Sequence, residues 1–216
     1  MFSLISRFIL VAGLVTCYVL AHVLPIRTGW ENGLIENTQV ALLLLGLLMA
    51  VCSAVCARDK RLRWFWIMLV PIWFLLVARE LSWGTAILMP PLYVHPETGP
   101  IYSSTLQLWY RPAVAPVMGL LLLGMVVIFF VTRQYRTVVQ LFQQHLIPWF
   151  EIALAVIAAL LCASAEGHGL SIFQALSHPQ QQVLEELFEF WMYASVFVGQ
   201  WLLIRKMKAN QAMHLQ

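Results

Sequence analysis

Apolar residues in this chain run on for far longer than the one-sided stripe of a soluble helix, and polar residues gather in short clusters between the runs. A helix needs about 20 predominantly apolar residues to cross the hydrocarbon of a bilayer. Six stretches reach that scale: residues 8–26, 34–57, 64–88, 113–132, 147–165 and 183–204. The pattern predicts an all-α, polytopic membrane protein with six transmembrane helices, forming a single bundle over residues 1–216. The first run follows Arg7 as a secretory signal would, but it exceeds the roughly 7–15-residue core of such a signal and no A-x-A site follows, so it reads as a retained span. Among the connections, residues 89–112 carry Pro90, Pro91, Pro96, Pro100 and Pro112, which excludes one continuous helix there. The aromatics of that loop, Tyr93, Tyr102, Trp109 and Tyr110, suit the headgroup zone. The polar residues 133–146 predict a short interfacial helix.

Basic residues orient the spans. Of the 13 Lys and Arg, ten fall at one set of ends: Arg7, Arg58, Lys60, Arg61, Arg63, Arg133, Arg136, Arg205, Lys206 and Lys208. Only Arg27, Arg79 and Arg111 fall at the other. The imbalance puts both termini in the cytoplasm, which an even number of spans allows. Composition agrees: 61% of residues are hydrophobic and 11% charged, where a soluble domain has about a quarter charged. A soluble enzyme, a disordered chain and a nucleic-acid binder are thereby excluded as classes, and a net charge of +3 spread thinly makes no nucleic-acid stripe.

The acids are distributed with the opposite bias. Only Asp59 and Glu151 of the ten belong to the basic side, while Glu31, Glu36, Glu80, Glu97, Glu166, Glu185, Glu186 and Glu189 lie toward the other. Ionisable groups inside spans are expensive and so point to function by default. With the third span running to residue 88, Arg79 and Glu80 would sit roughly 12–14 Å below the boundary at 1.5 Å per residue. Adjacent helical positions point about 100° apart, so each would need its own partner. Glu36 with Gln39 at i+3, and Glu186 with Glu189 and Tyr193, add polar positions from the second and sixth spans.

These positions predict a shared, outward-facing, buried site that binds a cation, a polar ligand or a lipid headgroup, as a binding or transport component would. Its candidate ligand residues are Glu36, Gln39, Arg79, Glu80, Ser82, Trp83 and Tyr193. Glu166, His168, Glu185, Glu186 and Glu189 form a candidate set for a divalent cation, since hard cations take carboxylates and imidazole. Two alternatives stand beside this reading. One is a metal-dependent, lipid-modifying membrane hydrolase, for which Ser82 offers a nucleophile without an assigned base. The other is a structural or assembly subunit of a membrane complex whose acids are paired internally, Arg79 meeting Glu36 or Glu189 as polar glue. Haem is not expected, because His22 and His168 each stand alone on their helices and His145 lies at the opposite side. Cys52 and Cys56, an i,i+4 pair, read as small packing residues. The partners implied are the lipid bilayer, a lipid or cation ligand, and a second copy or another membrane protein.

Glu31, then Glu36-Asn-Thr-Gln39 opening an aliphatic span, then a basic turn and Arg79-Glu80-Leu81-Ser82-Trp83-Gly84 closing the next, resembles a group of uncharacterised bacterial multipass membrane proteins that carry an acidic start and an R/E-E-[LI]-S-W-G run. The resemblance covers about residues 28–90. It implies a bacterial inner-membrane protein and carries no established activity.

Overall fold

Long apolar runs fold as helices because within a bilayer each backbone N–H and C=O must bond inside its own segment. The computed structural model describes residues 2–168 and 172–213, so residues 169–171 of the predicted 166–182 connection lie outside it. The long helices are α1 (Phe2–Val23), α2 (Leu34–Cys56) and α3 (Lys60–Glu80). A short α4 (Thr85–Leu88), a hairpin of β1 (Tyr93–His95) and β2 (Gly99–Ile101), and a one-turn α5 (Ser104–Gln107) follow. The chain continues with α6 (Arg111–Val131), α7 (Gln134–Gln143), α8 (Trp149–Ala165) and α9 (His178–Met213).

Five helices, α1, α2, α3, α6 and α9, are long and apolar enough to cross a membrane. The sixth apolar helix, α8, has 17 residues, about 25 Å at 1.5 Å per residue. The protein is therefore all-α, with five helices of membrane-spanning length and one shorter apolar helix where six spans were expected. The last helix is longer than its apolar pattern, with 36 residues. The interfacial helix appears as α7, and the proline-rich loop folds as the hairpin, with Tyr93 opposite Ile101.

The third span stops at Glu80, not at residue 88. Three consecutive residues take positive φ, Ser82 at 46°, Trp83 at 61° and Gly84 at 97°. Left-handed backbone ends an α-helix, and for Ser and Trp it costs roughly 1–2 kcal/mol each. The turn is held by the Tyr110 hydroxyl, which donates to the Trp83 carbonyl at 2.7 Å, and by the Thr85 hydroxyl on the Ser82 carbonyl at 2.7 Å. Arg79 and Glu80 consequently lie at a helix end, not deep within a span. At the other end of α3, Asp59 caps the helix by accepting from the Arg61 N–H at 2.8 Å.

All three apolar clusters include α9. It packs with α1 and α8 around Leu14, Ala158 and Leu184, with α2 and α3 around Leu43, Trp73 and Tyr193, and with α2, α3 and α7 around Trp66, Leu141 and Met207. Two glycines permit close approach. A Cβ on Gly13 would stand 2.0 Å from the Trp191 ring, and one on Gly46 2.5 Å from the Trp73 ring. In contrast to α9, whose apolar window is 56% buried, that of α6 is 6% buried, and α6 leans mainly on α3 and α7. The hairpin loop docks on the turn before α2 through the Trp30 indole, which donates to the Glu97 carbonyl at 3.1 Å, and the Tyr102 N–H, which donates to Glu31 at 2.7 Å.

Candidate functional site

The acidic end of the bundle is built around one residue of α9. Glu189 and Tyr193 are four apart, so they share a helix face, and that face meets the last turn of α3. Arg79 donates to Glu189 Oε1 at 2.7 Å and to the Tyr193 hydroxyl at 3.0 Å. The Tyr193 hydroxyl in turn donates to Glu80 Oε1 at 2.5 Å, and Arg79 lies 3.8 Å from that same carboxylate. Glu80, Glu189 and Tyr193 are buried, whereas the Arg79 side chain is 52% exposed. Sequence reasoning gave Arg79 and Glu80 separate partners because adjacent positions diverge on a helix. They instead converge, because a phenol both accepts and donates and so joins a long guanidinium arm to the neighbouring carboxylate.

Two further acids, Glu36 and Glu186, are also held from within. Glu36 stands at the third position of α2 and accepts from the Asn32 N–H at 2.5 Å, as an acid in a helix's first turn does when it reaches back over the unsatisfied N–H groups. Gln39 is fully buried, and its amide donates to the Glu186 backbone carbonyl at 2.8 Å and to the Glu186 carboxylate at 3.1 Å. At the opposite, basic end, Glu151 is fully buried and accepts from Arg7 at 2.8 Å.

This corrects the expectation of an open, outward-facing binding site. The buried acids Glu80, Glu189 and Glu151 are paired with arginine inside the chain, so they are not free ligands for a cation, polar molecule or headgroup. The candidate metal residues do not converge either. Glu189 turns to Arg79 and Glu186 to Gln39, while Glu185 lies against Glu166 and the exposed His168 stands 3.8 Å from Glu166. Among the described residues no group of three or more His, Cys, Asp or Glu is placed to hold a metal ion. Ser82 sits in the strained turn and makes no side-chain hydrogen bond to a base among the described residues. Trp83 faces a cavity of about 270 Å³ between α3 and α6, away from the acids it was expected to wall. Cys52 and Cys56, expected to pack, are exposed.

Two polar links lay outside the sequence reading. In the middle of the bundle the buried Trp73 indole donates to Gln200 Oε1 at 2.5 Å, and the Gln200 amide donates to the Gly46 carbonyl at 2.9 Å. One amide thereby ties α2, α3 and α9 together. Its signal was a lone Gln inside an apolar run, which has no lipid-facing solution. The Arg7–Glu151 pair had a similar signal, an acid opening an apolar helix on the basic side. No protein-family model, curated protein or solved structure matches this chain.

Proposed function

We propose that this protein is a structural or assembly subunit of a membrane complex. The observation that carries the reading is the closed network of Arg79, Glu189, Tyr193 and Glu80, which pairs two buried carboxylates with an arginine and joins α3 to α9. Its surface supports the same reading. A groove of about 590 Å³ runs over α9 between α3 and α8, and Ala155, Ala159, Ser195 and Gly199 are among its walls. Small residues four apart are the surface on which transmembrane helices pack closely. The peripheral α6 adds an apolar helix whose Gly119 and Gly124 meet open space.

The bundle in this reading has six spans, with α8 as a short sixth and both termini cytoplasmic. Support comes from contacts that gather the basic segments at one end: Arg7 on Glu151, the Gln134 amide on the Arg61 carbonyl at 3.1 Å, and Lys206 on the Leu146 carbonyl at 3.5 Å. The positive-inside rule favours that end as the cytoplasmic one, and the resemblance over residues 28–90 favours a bacterial inner membrane. Reporter fusions after residues 97 and 213 test the orientation, with opposite compartments expected and the same compartment overturning it.

Assembly is tested by photocrosslinking in native membranes, with a crosslinking amino acid in place of Val156 in the groove or Val127 on α6. A discrete protein adduct is expected at one or both. Adducts to lipid alone at both positions would overturn the assembly reading.

A further inference from the structure

A second cavity, of about 370 Å³, opens at the basic end between the last turn of α2, the first turns of α3 and the last turns of α9. Four residues that carry side-chain hydrogen-bond donors are among its lining: Ser53, Arg58, Trp66 and Lys208. No carboxylate lines it. Among the described residues none of these four groups has a hydrogen-bond or ion-pair partner, which sets them apart from the acids of the opposite end. Trp66 is 4% exposed, and a buried indole N–H ordinarily finds an acceptor. Among the described residues it has no acceptor, yet it is not sealed from solvent, so water or a ligand entering the cavity can accept from it.

Two exposed cations and two neutral donor residues around one space suit an anion, and a guanidinium with an ammonium matches a tetrahedral oxyanion. The rest of the lining narrows the ligand. Leu62 and Ile204 give the cavity apolar walls, which a free, fully hydrated anion would leave uncovered. Its position adds a constraint, because α2 ends at Cys56 and α3 begins at Lys60, so the cavity lies at the ends of spans, level with lipid headgroups. Basic pockets between transmembrane helices at this level recognise anionic headgroups.

We propose that this cavity binds the phosphate group of an anionic phospholipid, with Arg58 and Lys208 on the phosphate oxygens, Trp66 and Ser53 completing the donor set, and the glycerol and upper chains against Leu62 and Ile204. This goes beyond the assembly reading and does not depend on it.

The test uses full-length protein purified in mild detergent, stripped of co-purified lipid and titrated with phosphatidylglycerol, with phosphatidylcholine of the same chains, and with inorganic phosphate. Native mass spectrometry reads bound lipid and thermal unfolding reads stabilisation. Phosphatidylglycerol is expected to bind at one molecule per chain and at least tenfold more tightly than phosphatidylcholine. Arg58→Gln with Lys208→Gln should weaken it roughly 30-fold at low salt, the product of two such cations near a membrane surface. Trp66→Phe, which keeps an aromatic ring and removes only the donor, should weaken it about fivefold. Lys60→Gln with Arg136→Gln removes the same charge from the same end but touches no cavity wall, and should cost less than threefold. Equal losses from the two charge pairs, or equal binding of the two lipids, would show diffuse attraction and overturn the site. Displacement of phosphatidylglycerol by an equal concentration of inorganic phosphate would overturn the lipid as its occupant.

Discussion

Glu189 and Glu151 are both buried and each is paired with an arginine, and their surroundings differ. Glu189 receives Arg79 at 2.7 Å and Glu151 receives Arg7 at 2.8 Å. Around Glu189, a tyrosine and a second glutamate share the arginine, whose side chain is 52% exposed. Around Glu151, the carboxylate is 0% exposed, its second oxygen has no hydrogen-bond partner among the described residues, and Arg7 is its one ionic contact there. The pair distance says almost nothing about what either arginine is worth. The decisive quantity is the state in which the glutamate is left when the arginine goes. The acids of the Arg79 network keep a little exposure and have a phenol between them, whereas Glu151 is wholly enclosed and has no second donor among the described residues.

The largest expected effect follows from that difference. Arg7→Leu leaves Glu151 buried with no countercharge and should destabilise the protein by about 3–4 kcal/mol, the range for breaking one side of a buried pair. Thermal unfolding in detergent followed by circular dichroism measures it. Replacing both partners, Arg7→Leu with Glu151→Leu, should recover most of the loss, since an apolar pair of similar volume is often as stable as a buried ion pair. Equal losses in the single and double variants would break the comparison at its root. Arg79→Leu comes next, at about 2 kcal/mol: it strands two carboxylates, but at a half-exposed position where solvent replaces part of what is lost. If it costs more than Arg7→Leu, burial of the surviving acid is not what ranks the two sites.

How far these sites were legible in the sequence follows from the range over which each signal acts. Apolar run length found every long span, because a bilayer imposes it locally. The end of α3 escaped the pattern, since Leu81 through Leu88 keep an apolar character while the backbone at Ser82 and Trp83 turns left-handed. That turn depends on Tyr110, 27 residues further on. Candidate residues were found by cost: an ionisable group in a span must have a partner, and Arg79, Glu80, Glu189 and Tyr193 do come together. The crowding of acids toward one end of the spans suggested a vacancy for a ligand. That reading overlooked what neutral donors do, for the Asn32 backbone N–H serves Glu36 and the Gln39 amide serves Glu186. Charge arithmetic along a sequence cannot see backbone donors, because they belong to every residue and only the fold aims them. The donor-only cavity at Arg58 and Lys208 was invisible for the matching reason, as those residues read simply as markers of orientation.

Within the network at the acidic end, Tyr193→Phe keeps the ring in its cluster and removes the hydroxyl that joins Arg79 to Glu80. Two hydrogen bonds go, yet Arg79 keeps Glu189 and stays 3.8 Å from Glu80. The expected loss is about 1–1.5 kcal/mol, at the scale of one net hydrogen bond. A loss near 3 kcal/mol would mean that the phenol, and not the arginine, is the keystone joining α3 to α9.

The smallest effect sharpens the comparison most. Glu151→Gln removes the same ion pair as Arg7→Leu, but from the other side. The surviving group is then Arg7, whose side chain is 36% exposed at the membrane-proximal end of α1, and a guanidinium on a flexible arm can turn toward water and headgroups. The glutamine oxygen still accepts from Arg7, and its NH2 replaces an oxygen that already lacks a hydrogen-bond partner among the described residues, so one unpartnered polar group is exchanged for another. The exchange should therefore cost less than about 1 kcal/mol, in contrast to the severe Arg7→Leu. Measuring both variants by the same unfolding transition gives the asymmetry directly. Similar losses from the two would mean that the attraction between the charges holds α1 against α8, whereas the expected severalfold difference means that the arginine is there to make a buried carboxylate tolerable.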